Sequence, residues 1–336
     1  MNTVRRLLLV CLLFPIAGWT SCGSSQRPVV VPVPQPDPGT PNPTFDAARA
    51  FRVLEAQVAF GPRAPGTPGH DAAKTHIVDE LTKHADSVLS QDFQASTTFG
   101  GPYDFTNIIG FFGPDQGEKL MICAHWDTRP VADQDPDPAN HSKPVLGAND
   151  GASGVAVLLE LARAFAEKAP PVPIILAFWD AEDSGLTAGG RAPFYGYILG
   201  SEYYTKNWPA NGKPDEVILL DMVGGDSKAN PRVAKRAGGN NDFDLRIERN
   251  SLQSAPELIN EIYSAGEKLG HLAFTRSLGY SVIDDHMPFI AAKIPSVDLI
   301  EFDYPEWHTV DDTPENCSAD SLKQVGETLL EVVYAR

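Results

Sequence analysis

Lys119-Leu120-Met121-Ile122-Cys123-Ala124-His125-Trp126-Asp127 is a short apolar run that stops at a histidine and an aspartate. Unbroken apolarity over so few residues suits a strand covered on both faces, because a half-exposed strand would alternate. Working outward, residues 173–178 and 217–220 repeat the pattern. The first runs into Asp180-Ala181-Glu182-Asp183 and the second into Asp221. Between Asp127 and the run at 173–178, residues 153–166 have helical spacing, with Val157, Leu158, Leu161 and Phe165 on one face. Strand and helix signals in alternation predict an α/β fold, a single domain whose central mixed, mostly parallel sheet is flanked by helices. Strand ends in such a sheet converge on one crevice, where ligands bind.

The remaining elements follow from the same signals. Residues 45–58 and 67–85 read as helices, the second with Thr67 as N-cap and Pro68 in the first turn. Residues 87–93, 107–112 and 296–300 read as strands and 255–269 as an amphipathic helix, and Ser318 is placed to cap a last helix reaching about Tyr334. Residues 186–200 and 232–248 lack a period and read as long surface loops, which in compact domains tend to shape active sites.

The amino terminus carries targeting information. Arg5-Arg6 precede an apolar stretch, 7–17, of signal-peptide length. Thr20-Ser21-Cys22-Gly23 resembles a bacterial lipobox, with Trp19 departing from the usual leucine. The expected division is a leader over 1–22, a Pro- and Ser-rich spacer over 23–44 and a catalytic domain over 45–336. Such a leader implies export, with the chain held in the periplasm or envelope by lipid on Cys22 as its only membrane contact. Cys123 and Cys317 remain inside the domain. An oxidising compartment permits their pairing, and sequence does not show whether they meet. A formal charge of −17, from 44 acidic and 27 basic residues, argues against a nucleic-acid partner, whose phosphates need a basic footprint.

Chemistry concentrates at the strand ends. His125-Trp126-Asp127, Asn149-Asp150, Glu182-Asp183, Asp221 and the stretch Tyr304-Pro305-Glu306-Trp307-His308-Thr309-Val310-Asp311-Asp312 supply imidazoles and carboxylates but no thiolate. Taken singly, each has an ordinary explanation. Asp150 opens a helix, where a carboxylate is favoured by the dipole, and His125 could simply bond Asp127. Taken together they suit zinc in an open, catalytic site, with one carboxylate left over for acid/base work.

With those residues in view, the chain resembles the zinc-dependent aminopeptidases of the M28 superfamily and their relatives, the glutaminyl-peptide cyclotransferases. The resemblance runs over about residues 45–335. Asp284-Asp285-His286-Met287-Pro288-Phe289, Pro305-Glu306-Trp307-His308-Thr309 and Leu220-Asp221-Met222-Val223-Gly224 resemble the cyclotransferase branch of animal type, which also has bacterial members. The resemblance implies one zinc per chain on Asp150, Asp183 and His308, with Glu182 as acid/base and Asp221 and Asp284 as a carboxylate network. Trp307, His125 and Tyr304 would meet the substrate, a peptide or protein with amino-terminal glutamine, and a monomer is expected. Asp311 and Asp312 are candidates to support the second ring nitrogen of His308.

The chain departs from the animal pattern twice. Glu182-Asp183 stands where animal members have two glutamates, and no tryptophan follows within 186–200, where Phe194, Tyr195 and Tyr197 are the aromatics. A dizinc aminopeptidase is the rival reading. It would add a second ion on His125 and Asp221, bridge both with Asp150, and use Glu182 to activate water.

Overall fold

The computed structural model describes residues 41–185, 196–226 and 243–336. The leader, nearly all of the spacer, and Phe194 and Tyr195 lie outside the described residues. The strands are β1 Ser87–Thr97, β2 Gly100–Phe112, β3 Leu120–His125, β4 Ile174–Trp179, β5 Glu216–Asp221, β6 Leu245–Ile247, β7 Phe274–Leu278 and β8 Ser296–Ile300. The helices are α1 Ala47–Ala59, α2 Pro68–Thr82, α3 Ala152–Glu167, α4 Leu199–Lys206, α5 Arg249–Ser254, α6 Pro256–Leu269, α7 Met287–Ala291 and α8 Ala319–Ala335.

Six strands pair in the order β1-β2-β4-β3-β5-β8. From β4 to β8 the neighbours are parallel, while β1–β2 and β2–β4 are antiparallel. The expected mixed sheet with a parallel centre is therefore present. Side chains of β3 alternate between two cores: Leu120, Ile122 and Ala124 join the layer of α1, α3, α6 and α8, and Met121 and Cys123 join Tyr204 and Phe289 on the other face. Burial on both faces is why the strand reads as one apolar run.

Local signals set the helix starts. Thr67 accepts a hydrogen bond from the His70 amide, and Ser318 accepts one from the Asp320 amide, satisfying amides that no helical carbonyl can reach. Gly154 lets α3 lie directly on the sheet, since a Cβ there would sit 2.6 Å from the Leu220 carbonyl oxygen and 2.7 Å from Ala124 Cβ. That close approach places the residues preceding α3 at the ends of β3 and β5.

Two expectations are corrected, and the open question of the two cysteines is answered. β1 and β2 run on into a long hairpin, with Thr97 paired to Gly100; its outer half is polar and exposed, so it carries no apolar signal. The presumed loop over 232–248 holds β6, which pairs with β7 as a separate two-stranded sheet; of the loop expected over 186–200, residues 186–195 lie outside the described residues and α4 begins at Leu199. Cys123 and Cys317 are both buried free thiols, so they form no disulfide with each other. No helix among the described residues is long and apolar enough to cross a membrane.

Candidate metal centre

β3, β5 and the turn after β4 deliver their terminal residues to one place, and two aspartates hold the delivering loops there. Asp127 accepts hydrogen bonds from the amides of Glu182 and Asp183 at 3.0 and 3.2 Å. Asp312 does the same for Asn149 and Asp150, at 2.8 and 3.1 Å. Each carboxylate pins two consecutive amides, so the side chains of Asp150 and Asp183 are aimed by their backbones. Arg63 is wholly buried and donates to the carbonyls of Trp126, Leu146 and Gly147 at 3.0, 2.8 and 2.7 Å, bracing the Asp150 loop from below.

The backbone is strained where the chemistry collects. Ala181 (φ 57°), Met222 (φ 46°) and His308 (φ 56°) take left-handed conformations that side chains disfavour. They sit, respectively, just before Glu182, just after Asp221, and on a predicted ligand itself. Strain of this kind persists only where surrounding contacts over-determine it, and it concentrates at functional sites.

Of the predicted ligands, Asp150, Asp183 and His308 each offer one atom within 4.8 Å of the others. His308 Nε2 lies 3.2 Å from Asp183 Oδ1 and 3.6 Å from Asp150 Oδ2. His125, Asp150 and Asp221 form a second group within the same limit, with His125 Nε2 3.1 Å from Asp150 Oδ1 and 3.3 Å from Asp221 Oδ1. Asp150 Oδ2 and Asp183 Oδ2 are buried and have no hydrogen-bond partner. Leaving such atoms bare is costly. Two carboxylates and an imidazole converging on unsatisfied oxygens form a donor set that fits zinc.

Charge around the site is uneven. Burial would raise the Asp183 carboxyl, but His308 and Arg129 overcome it and hold the group below its ordinary value. Burial lowers His308, and Asp183 with Asp133 more than restores it, bringing the ring up to about 9. Glu182 is pushed well up, first by burial and then by Asp183, Asp285 and Asp221, with His125 pulling the other way. Asp284 is likewise pushed well up by burial and by Asp221 and Asp298.

The outer support of His308 differs from the expectation. Asp133 Oδ1 lies 3.5 Å from its Nδ1, whereas Asp312 is occupied with the Asn149 and Asp150 amides and also accepts from the Tyr304 hydroxyl at 3.0 Å. Tyr304 is buried with Met222, Val282 and Ile300, so its hydroxyl serves the framework. His125 is buried among carboxylates. Trp307 is half-buried and stacks on the His308 ring, 3.9 Å between centroids at 27°. On the side lacking a tryptophan, Tyr197 lies under Arg129, 5.5 Å from its guanidinium carbon to the ring centre.

Arg129 went unpredicted. Its guanidinium pairs with Asp183 at 2.9 Å and, through two bonds of 2.7 Å, with Asp133. Position within His125-Trp126-Asp127-Thr128-Arg129 was the only clue, and spacing alone does not say that a loop arginine turns inward.

The sequence profile of peptidase family M28 matches residues 107–333. The chain belongs to peptidase family M28. Solved structures also resemble it. A glutaminyl cyclase of Bacteroides thetaiotaomicron, solved with N-acetylhistamine, superposes with a TM-score of 0.80 at 34% identity, covering 88% of this chain and 100% of that one. A Zn-dependent exopeptidase of Parabacteroides distasonis gives a TM-score of 0.80 at 35% identity over the same shares. Glutaminyl-peptide cyclotransferase of Bos taurus is 27% identical over 291 residues, 80% of this chain and 76% of that protein.

Proposed function

We propose that this M28 protein is a glutaminyl-peptide cyclotransferase, converting amino-terminal glutamine of peptides or proteins to pyroglutamate with release of ammonia. The observation that carries the reading is the convergence of Asp150, Asp183 and His308 within 4.8 Å, beside a buried Glu182 and under the ring of Trp307. The likeness to a bacterial glutaminyl cyclase along nearly the whole of that chain supports the choice of reaction.

In this reading Asp150, Asp183 and His308 hold one zinc ion per chain, which when bound supplies Lewis-acid polarisation of the glutamine γ-carbonyl. The α-amine forms a bond to the side-chain amide carbon, Cδ, the bond from that carbon to the amide nitrogen breaks, and ammonia leaves. Glu182 accepts the proton the amine loses and returns it to the departing nitrogen. Its burial among carboxylates brings its proton affinity toward that of the groups it serves, as general acid/base work requires. Asp221 and Asp284 orient the amine and the amide nitrogen. Trp307 walls the pocket so that the glutamine folds on itself, and ring closure then needs alignment rather than a second molecule.

The group at His125, Asp150 and Asp221 favours a second reading, a dizinc aminopeptidase in which Glu182 activates water. Incubation with a glutaminyl amide, with and without a chelator, separates the two: ammonia and a pyroglutamyl product support the cyclase, and a freed amino-terminal residue overturns it.

The leader over 1–22 would export the chain and Cys22 would carry lipid, with 23–44 as spacer and a monomeric catalytic domain in the periplasm. Absence of radiolabelled fatty acid from the protein in growing cells would end the lipid proposal.

A further inference from the structure

We propose that Trp307, Phe302 and Tyr280 form an aromatic track that receives the third residue of the peptide substrate and selects an apolar or aromatic side chain there. The inference rests on the cyclase reading above and extends its site outward. Scattered exposed hydrophobics are ordinary on a protein surface, whereas contiguous ones mark binding sites. Here the rings are contiguous. Phe302 lies 5.6 Å from Trp307 and Tyr280 5.5 Å from Phe302, centroid to centroid. The inner end of the series stacks on a proposed metal ligand, and the outer two rings are 37% and 49% exposed.

The rings are also held in place. The Tyr280 hydroxyl donates to Asp303 at 2.9 Å, and Arg246 ties Asp303 to Asp244 through ion pairs of 3.0 and 2.9 Å. Trp307 packs against a small separate core of Met222, Val282, Ile300 and Tyr304. The Tyr280 hydroxyl, Asp303, Arg246 and Asp244 are thus engaged with one another, and Phe302 and Tyr280 expose ring surface. Rings fixed before binding cost little further ordering when a side chain settles on them. An apolar occupant therefore fits better than a charged one.

Strand geometry selects the third residue. In an extended peptide, side chains at alternate positions share a face and stand about 7 Å apart. With the glutamine turned into the pocket beside Trp307, the second side chain points away and the third reaches Phe302 and Tyr280.

The test measures kcat/KM for ammonia release by the full chain on Gln-Ala-Ala, Gln-Phe-Ala and Gln-Ala-Phe amides. Phenylalanine at the third position should be preferred over alanine by roughly tenfold, the scale of one aromatic pair. That ratio should approach one in Phe302→Ala and Tyr280→Ala, and persist in Tyr280→Phe, which keeps the ring. Ammonia release without a third-position preference, or a preference that survives both alanine variants, overturns the track and leaves the proposed function standing. No ammonia from any peptide overturns both.

Discussion

Two groups of three side chains meet at Asp150, and they are built differently. In the Asp150, Asp183 and His308 group the outer shell alternates in sign: Arg129 pairs with Asp183 at 2.9 Å, and Asp133 both takes the rest of that guanidinium and faces His308 Nδ1. In the His125, Asp150 and Asp221 group carboxylates predominate, with Arg63 behind the Asp150 loop as the nearby arginine. Asp127 stands 3.5 Å from His125 Nδ1, and Asp284, Asp285 and Asp298 are buried nearby, each raised above its ordinary value first by burial. The first arrangement fixes its ligands with balanced charge before an ion arrives. The second gathers carboxylates and relies on protons or a cation to make them tolerable. On that difference we propose the first group as the resident metal site and the second as the side on which the substrate's amine and amide are met.

The comparison breaks or holds on metal content. His308→Ala should remove the bound zinc and take turnover down by three orders of magnitude or more, on the order of what losing a catalytic metal's charge stabilisation removes. Asp221→Asn should keep the ion while lowering turnover. Metal analysis of the purified protein and both variants decides it. Two ions in the wild type, one of them lost with Asp221→Asn, would give the two groups equal standing and favour the peptidase reading.

Next in size is Glu182→Gln. The zinc content should stay as it is, because Glu182 belongs to neither group of three, while kcat falls by about 10²- to 10⁴-fold. Near-normal ammonia release would remove Glu182 from its role.

Arg129 tests the first group's charge balance directly. Arg129→Met leaves Asp183 and Asp133 facing each other without the cation between them, so zinc affinity should fall about 10- to 100-fold, as lost outer-shell partners generally cost. Competition with a chromogenic chelator reads this without activity. An unchanged affinity would mean that the ligands need no such support.

Much of the first group was legible in the sequence because Asp183 follows a buried strand and Asp150 flanks a strong helix start. His308, in a turn beyond β8, was legible only through the resemblance carried by Pro305-Glu306-Trp307-His308-Thr309. Apolar runs such as Leu120–Ala124 announce both the strand and the point where it stops. Asp150 beside Gly151 announces the entry to α3. The support around them was not legible, for a physical reason. Arg129, Asp133 and Arg63 are polar residues in loops, and a loop residue turned inward has the same sequence signature as one turned out. The amide clamps of Asp127 and Asp312 join positions 55 and 163 residues apart, and the strained conformations of Ala181, Met222 and His308 are imposed by packing rather than by residue type. The hairpin beyond Phe93 and the pair β6–β7 failed for another reason: short or exposed strands lack the apolar period on which the reading depends.

The smallest expected effect concerns the framework behind the anionic group. Glu248 caps α5 through the Asn250 and Ser251 amides, at 2.9 and 2.6 Å, and accepts from the Val282 amide at 3.0 Å, two residues before Asp284. Burial would raise its carboxyl, but His286, those amides and the Ser251 hydroxyl hold it down from 4.5 to about 2. A depressed carboxyl pKa stabilises the fold fully above the unfolded value, and the contribution drains away as pH falls through the folded one. Glu248→Gln replaces one accepting oxygen with a donor, so at pH 7 it should cost about 1.5–3 kcal/mol, the range of hydrogen bonds to a charged group. The gap to wild type should narrow between pH 4.5 and 2. Urea midpoints at pH 7 and pH 3 measure it. A gap of constant size would show that shape rather than charge makes Glu248 matter, and that the anionic side of the site is held by packing alone.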